Sequence, residues 1–171
     1  MQTIEINIYK FDELSKDIQA KAVDNLRDIN IDYDWWDAIY DDAFGIDTKI
    51  SGFDTDRGSY CNLDFTDSAE NTAKLILENH GEGCDTFKDA EQFLKEFEEL
   101  NVSLDKTEDE EKIEDIEFEI EVLEKHFKNQ LSESYLTILR KQYEYNYSDE
   151  AIIETIEGND YEFLDNGELY R

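Results

Sequence analysis

From Glu108 to Tyr143 the chain contains no Gly or Pro, and Ile113, Ile116, Ile120, Leu123, Phe127, Leu131, Tyr135 and Ile138 recur at spacings of three and four. Such spacings gather apolar side chains into one stripe of a 3.6-residue helix, and nothing in the stretch interrupts the backbone hydrogen-bond ladder. The pattern predicts one long helix. Its stripe is nearly heptad-like and therefore needs cover. Two covers fit: the preceding helix folded back as an antiparallel hairpin arm, or a second copy of the chain, giving a homodimer through the long helix.

The remaining elements are shorter. Ile4, Ile6 and Ile8 alternate with Glu5 and Asn7 over residues 3–9, the period of a half-buried strand. Ser15 is placed to cap a helix carrying Ile18, Ala22, Leu26 and Ile29 on one face. A second helix is expected from Asp32 to Phe44, burying Trp36, Ile39 or Tyr40, and Ala43, and ending at Gly45. Lys49 to Phe53 and Tyr60 to Phe65 read as a hairpin around Asp54-Thr55-Asp56-Arg57-Gly58. Thr66 or Asp67 can cap a third helix that runs to Asn79 and is broken by His80-Gly81-Glu82-Gly83. Thr86 opens a fourth, with Ala90, Phe93, Leu94, Phe97 and Leu100 as its apolar face. Ser148 caps a short helix through Ile152, Ile153 and Ile156 to Gly158, and Tyr161 to Tyr170 form two short strands about Asn166-Gly167. The expected fold class is α+β. A small antiparallel sheet from the N-terminal strand, the central hairpin and the C-terminal hairpin packs with helices in a single domain, residues 1–171, with residues 86–143 as an inserted, acidic helical-hairpin arm.

Charge excludes whole classes of function. With 46 acidic and 16 basic side chains, the formal net charge is −30. A phosphate backbone is bound by releasing its counterions to Lys and Arg, so nucleic acid and an anionic membrane face would both repel this chain. The partner it implies is neutral or basic. Disorder is not implied, because 39% of the residues are hydrophobic and 13% aromatic, enough to build a core. No 18-residue apolar run occurs and the N-terminal stretch lacks a basic flank ahead of an apolar segment, so a cytoplasmic protein is expected. Cys61 and Cys84 do not make a disulfide framework and receive no role.

Catalytic chemistry finds little to work with. Only His80 and His126 could serve as a base for a nucleophile; His80 reads as a helix end and His126 as a solvated side chain on the long helix. Gly81-Glu82-Gly83 lacks the Lys and the third glycine of a phosphate loop. Asp54-Thr55-Asp56-Arg57-Gly58 begins like a calcium loop, yet its sixth position is Ser59 and its twelfth is Phe65, where glycine and a bidentate Glu are required. No catalytic residue, cofactor site or metal site is assigned, and a non-enzymatic role is expected.

The pattern of acids is the informative feature. Glu108, Asp109, Glu110, Glu111, Glu114, Asp115, Glu117, Glu119, Glu121 and Glu124 face the single base Lys112, a net of −9 over 17 residues. Glu110 with Glu114, Glu111 with Asp115, and Glu117 with Glu121 are like pairs at i, i+4, each costing a few tenths of a kcal/mol in a helix. The helix macrodipole favours acids only in the first turn, not at 114–124. At about 1.5 Å per residue, one net charge falls every ~2.8 Å, near the ~3.4 Å between phosphates along a DNA strand. A second acidic surface gathers around Asp32, Asp34, Asp37, Asp41 and Asp42, with no Lys or Arg between positions 28 and 48.

Three stretches carry a family resemblance: Tyr9-Lys10-Phe11-Asp12-Glu13-Leu14-Ser15 running on to Asp32-Tyr33-Asp34-Trp35-Trp36-Asp37; Gly52-Phe53-Asp54-Thr55-Asp56-Arg57-Gly58-Ser59-Tyr60; and Asp149 to Glu154 with Asn159-Asp160-Tyr161-Glu162-Phe163. Together they resemble a family of small acidic phage and prophage proteins that often carry the label "antitoxin of toxin-antitoxin stability system". The resemblance brings no catalytic motif. It implies a phage setting, in which very acidic proteins imitate nucleic acid to block host defence. The expected function is inhibition of a basic nucleic-acid-binding host protein, a CRISPR effector or a restriction enzyme, through Glu108–Glu124 and the Asp32–Asp42 cluster, with Trp35 or Tyr33 as apolar anchors. The alternative is an antitoxin-like protein that neutralises one basic toxin.

Overall fold

The computed structural model describes residues 5–171. In chain order its elements are β1 (Tyr9–Lys10), α1 (Lys16–Asn25), α2 (Asp37–Gly45), β2 (Thr48–Asp54), β3 (Tyr60–Phe65), α3 (Ala69–Asn79), α4 (Asp85–Leu104), α5 (Glu110–Asn146), α6 (Asp149–Gly158) and β4 (Glu162–Phe163), with one 3-10 turn at Phe11–Glu13. The fold is α+β, as its alternating and helical periodicities require. The chain divides into two compact units, Met1–Trp35 with Lys141–Arg171, and the inserted Trp36–Arg140.

The first unit closes on a core of Phe11, Leu14, Ala22, Val23, Ile152, Ile156 and Phe163, with Ile18, Leu26 and Tyr161 packed against it. The α1 and α6 stripes thus bury against each other and against the ends of the chain. β1 pairs antiparallel with β4, Tyr9 opposite Phe163 and Lys10 opposite Glu162. Lys10 adds an ion pair to Asp160 at 2.9 Å, and Arg171, hydrogen-bonded to Glu162 at 2.5 Å, holds that carboxyl below its ordinary pKa. The C-terminal hairpin returns through Gly167, whose φ of +86° suits glycine; a Cβ there would lie 3.1 Å from the Ile18 carbonyl oxygen on α1. Arg27 ties α1 to α6: it pairs with Asp149 at 2.5 Å and Asp24 at 2.7 Å, while its guanidinium lies 5.5 Å from the Tyr147 ring centroid. Ser148 caps α6 by accepting from the Ala151 amide.

The second unit is built on the β2–β3 hairpin, Thr48 opposite Phe65 and Asp54 opposite Tyr60, with a register irregularity between Ile50 and Gly52. Its turn is closed by Asp54, whose carboxylate accepts from the Asp56 amide at 2.7 Å, and by Gly58 at φ +86°. α5 lies against the hairpin and α4 through aromatic faces. Phe127 stacks on Phe93 with centroids 4.4 Å apart and on Phe65 at 6.0 Å. Lys128 pairs with Asp64 at 2.5 Å, and Arg140 donates to the Ser59 hydroxyl. Further along α5, Leu131, Tyr135 and Leu139 are fully buried. On α4, Gln130 of α5 donates to Asp89, one turn from Phe93, so the two helices run antiparallel as a hairpin.

Several expectations are revised. The strands form two separate two-stranded sheets rather than one. The N-terminal strand is confined to Tyr9–Lys10, because β4 offers only two residues to pair with; Ile6 and Ile8 are exposed, and Ile4 lies outside the described residues. α1 stops at Asn25 instead of Ile29, giving way to tight turns in which the Asn30 side chain accepts from the Thr155 hydroxyl of α6. α2 begins at Asp37 and leaves Asp32, Asp34 and Trp35 outside it. α2 ends at Gly45 as expected, and the left-handed residue that follows is Asp47, φ 54°; the strain is offset where its side chain accepts from Asn71 and its carbonyl from the Thr66 amide. α3 is capped by Ser68, one residue beyond the expected pair, and α4 opens at Asp85 after Cys84, whose side chain makes no capping hydrogen bond.

Candidate partner-binding surface

The hairpin of α4 and α5 presents the acids outward because its apolar stripe faces inward. Ile113, Ile116, Ile120 and Leu123 are half-buried, whereas Glu108, Asp109, Glu110, Glu111, Glu114, Asp115, Glu117, Glu119 and Glu121 are exposed; Glu124 is half-buried. Glu110, Glu114, Glu117, Glu121 and Glu124 succeed one another at spacings of four and three, which stacks them in one file about 5 Å apart along the axis. Little neutralises them. Among the described residues Lys112 pairs with Asp109 at 3.3 Å, and none of the other arm acids makes an ion pair. In 37 residues, roughly 55 Å of helix, α5 therefore carries its negative field on its N-terminal half and its buried core residues on the rest.

The second acidic cluster divides. Asp32, Asp34 and Trp35 belong to the first unit, Asp37, Asp41 and Asp42 to the second. All five aspartates are exposed, as is Tyr33 at 61%. Trp35 is half-buried, its ring 5.8 Å from that of Tyr143, which in turn stacks on Tyr147. Asp42 is committed to a polar relay. Its Oδ2 accepts from the Tyr135 hydroxyl at 2.7 Å, its Oδ1 lies 3.8 Å from His80 Nε2, and His80 Nδ1 meets the Thr86 hydroxyl at 2.8 Å.

A carboxylate, an imidazole and a hydroxyl hydrogen-bonded in series can activate a nucleophile, but the series is broken, because His80 Nε2 is buried 3.8 Å from Asp42 with no hydrogen-bond partner. Here Thr86 is only 5% exposed and sits in the first turn of α4, so no substrate reaches its oxygen. Burial raises the Tyr135 phenol far above its ordinary pKa, with the Asp42 hydrogen bond adding to it, so the phenol stays a donor. The relay joins α2, α3, α4 and α5. His80 caps α3 through its backbone amide, which donates to Ile76, and its ring serves the relay instead.

The two thiols are separated by their surroundings. Cys61 is buried in β3, and burial pushes its pKa up to about 11; Cys84 is exposed at the start of α4. A disulfide reagent at pH 8 is therefore expected to titrate one thiol quickly and the second only after unfolding, and Cys84→Ser should remove the fast phase. Two fast thiols would show that β3 opens readily.

Among the described residues no group of three His, Cys, Asp or Glu side chains is placed to hold a metal ion, and no helix is long and apolar enough to cross a membrane. Asp54 and Asp56 serve the hairpin turn. One feature escaped the sequence reading. On the other flank of α5 from the carboxylate file, Phe118 and Val122 are 65% and 50% exposed, and they line a groove against Leu100 of α4. Their i, i+4 spacing off the apolar stripe was the available signal. Comparison with known proteins finds no family model, no curated protein and no solved structure that matches this chain.

Proposed function

We propose that this chain is a non-enzymatic inhibitor that occupies the basic nucleic-acid channel of a host defence protein, a CRISPR effector or a restriction enzyme, in the manner of a nucleic-acid mimic. The observation that carries the reading is the run of exposed carboxylates on the first half of α5, which draws on a single lysine for neutralisation. A folded protein concentrates like charge in this way at a cost in its own stability. A surface held at that cost is suited to a partner that supplies the missing cations. The reading also draws on the resemblance to acidic phage proteins, and it places the chain in the cytoplasm of an infected cell.

Competition tests it. Tagged protein is used to capture its partner from a bacterial lysate at low salt, with and without heparin or duplex DNA as competing polyanion. A nucleic-acid enzyme released by the competitor is the expected result. A small basic partner held through the competitor would overturn mimicry in favour of the antitoxin-like reading.

A further inference from the structure

We infer that the groove between α4 and α5 is a docking site for a basic amphipathic helix, by which the arm takes hold of a protein partner through apolar anchors as well as charge. The inference rests on the reading of the arm as the face that meets a basic partner, and it adds the form of what is met. The groove measures about 640 Å³. Leu100, Phe118, Val122 and Leu123 line it together with Glu96, Glu99, Glu119 and His126. Phe118 and Val122 keep 65% and 50% of their surface in water, among the exposed acids of the first half of α5. Exposed apolar side chains bordered by glutamates have the composition of an interface.

Charge selects the occupant. No Lys or Arg lines the groove among the described residues, so a complementary segment brings its own. A second copy of this chain would set Glu96, Glu99 and Glu119 against their equivalents and one net charge of −30 against another. A nucleic acid would set phosphates against the same carboxylates. The anchors on α5 are one turn apart, which matches apolar side chains at i, i+3 and i+4 on a helix laid in the groove. Lysines or arginines on the flanks of that helix then reach Glu99 and Glu119, which are exposed beside the groove.

The test uses the full chain and a fluorescein-labelled synthetic helix with Leu at i, i+3, i+4 and i+7 and Lys elsewhere, beside a scrambled peptide of identical composition. Anisotropy at about 0.15 M salt screens the non-specific attraction. The amphipathic order is expected to bind about tenfold tighter than the scramble, and the double variant F118A/V122A to lose about that factor. Phe44→Ala removes a phenyl group that is 73% exposed outside the groove, and should change nothing. Equal binding of the two peptides, or undiminished binding by F118A/V122A, would overturn the groove while leaving the DNA-competition result for the carboxylates as it stands. Sedimentation that finds a dimer dissociated by F118A/V122A would likewise overturn it, by assigning the groove to a second copy.

Discussion

Phe127→Ala is expected to destabilise the second unit by about 3–5 kcal/mol, the cost of removing a buried aromatic ring and leaving a cavity behind. Phe127 has no exposed surface and is held between two rings, Phe93 at 4.4 Å with an interplanar angle of 14° and Phe65 at 6.0 Å and 22°. It thereby joins α4, α5 and β3 at one point, and neither neighbouring ring can close the gap without abandoning its own packing. In thermal unfolding the loss corresponds to a fall in Tm of roughly ten degrees. Phe118→Ala is the control: the same residue type on the same helix, 65% exposed, expected to shift stability by no more than about 0.5 kcal/mol. Similar losses in the two variants would mean that α5 packs on a different face from the one described.

The contrast between those two phenylalanines also marks how far the sequence could be read. The stripe Ile113 to Tyr135 lies on one face at helical spacing, so α5 follows from periodicity, which leaves its cover, α4 or a second copy, open. Past Tyr135 burial passes to Leu139 and Ile138 is exposed. The ring stack at Phe93 and Phe127 joins two residues the stripes had singled out. Phe118 and Val122, an i, i+4 pair off the stripe, signal an apolar spot on the outer surface of α5, but only the position of α4 turns it into a groove. The acids of the arm were legible for the opposite reason, since a helix has one outside and charge goes there. The β2–β3 hairpin was legible from its turn, but the bounds of the pairing between the two ends of the chain were not. β1 and β4 contribute two residues each from opposite ends of the chain, and partners so short are chosen by the packing of Phe11 and Phe163 rather than by alternation. The Tyr135–Asp42–His80–Thr86 relay was equally hidden, because each member sits on a different element and the distances that unite them are tertiary.

Replacing Glu114, Asp115, Glu117 and Glu121 together with Lys is expected to weaken binding to a basic partner by about a thousandfold while leaving the fold intact. All four are exposed, lie beyond the first turn of α5 and make no ion pair among the described residues, so no native contact is lost. Two new Glu-to-Lys pairs at i, i+4 arise, from Glu110 to position 114 and from Glu111 to position 115, in the orientation that stabilises a helix. Melting temperature should hold or rise. The segment from Glu108 to Glu124 meanwhile falls from nine net negative charges to one. Each exposed pair lost at an interface is worth up to about 1 kcal/mol and each reversal adds repulsion of up to similar size, so four reversals have a ceiling of about 8 kcal/mol, and half of that is the ~4 kcal/mol of a thousandfold loss. Inhibition measured at two salt concentrations separates the causes: the parent should lose potency steeply with salt, and the reversed variant should show little potency to lose. A reversed variant that inhibits as well as the parent would sink the mimic reading for this face, since a surface that tolerates the opposite sign of charge is not imitating a polyanion.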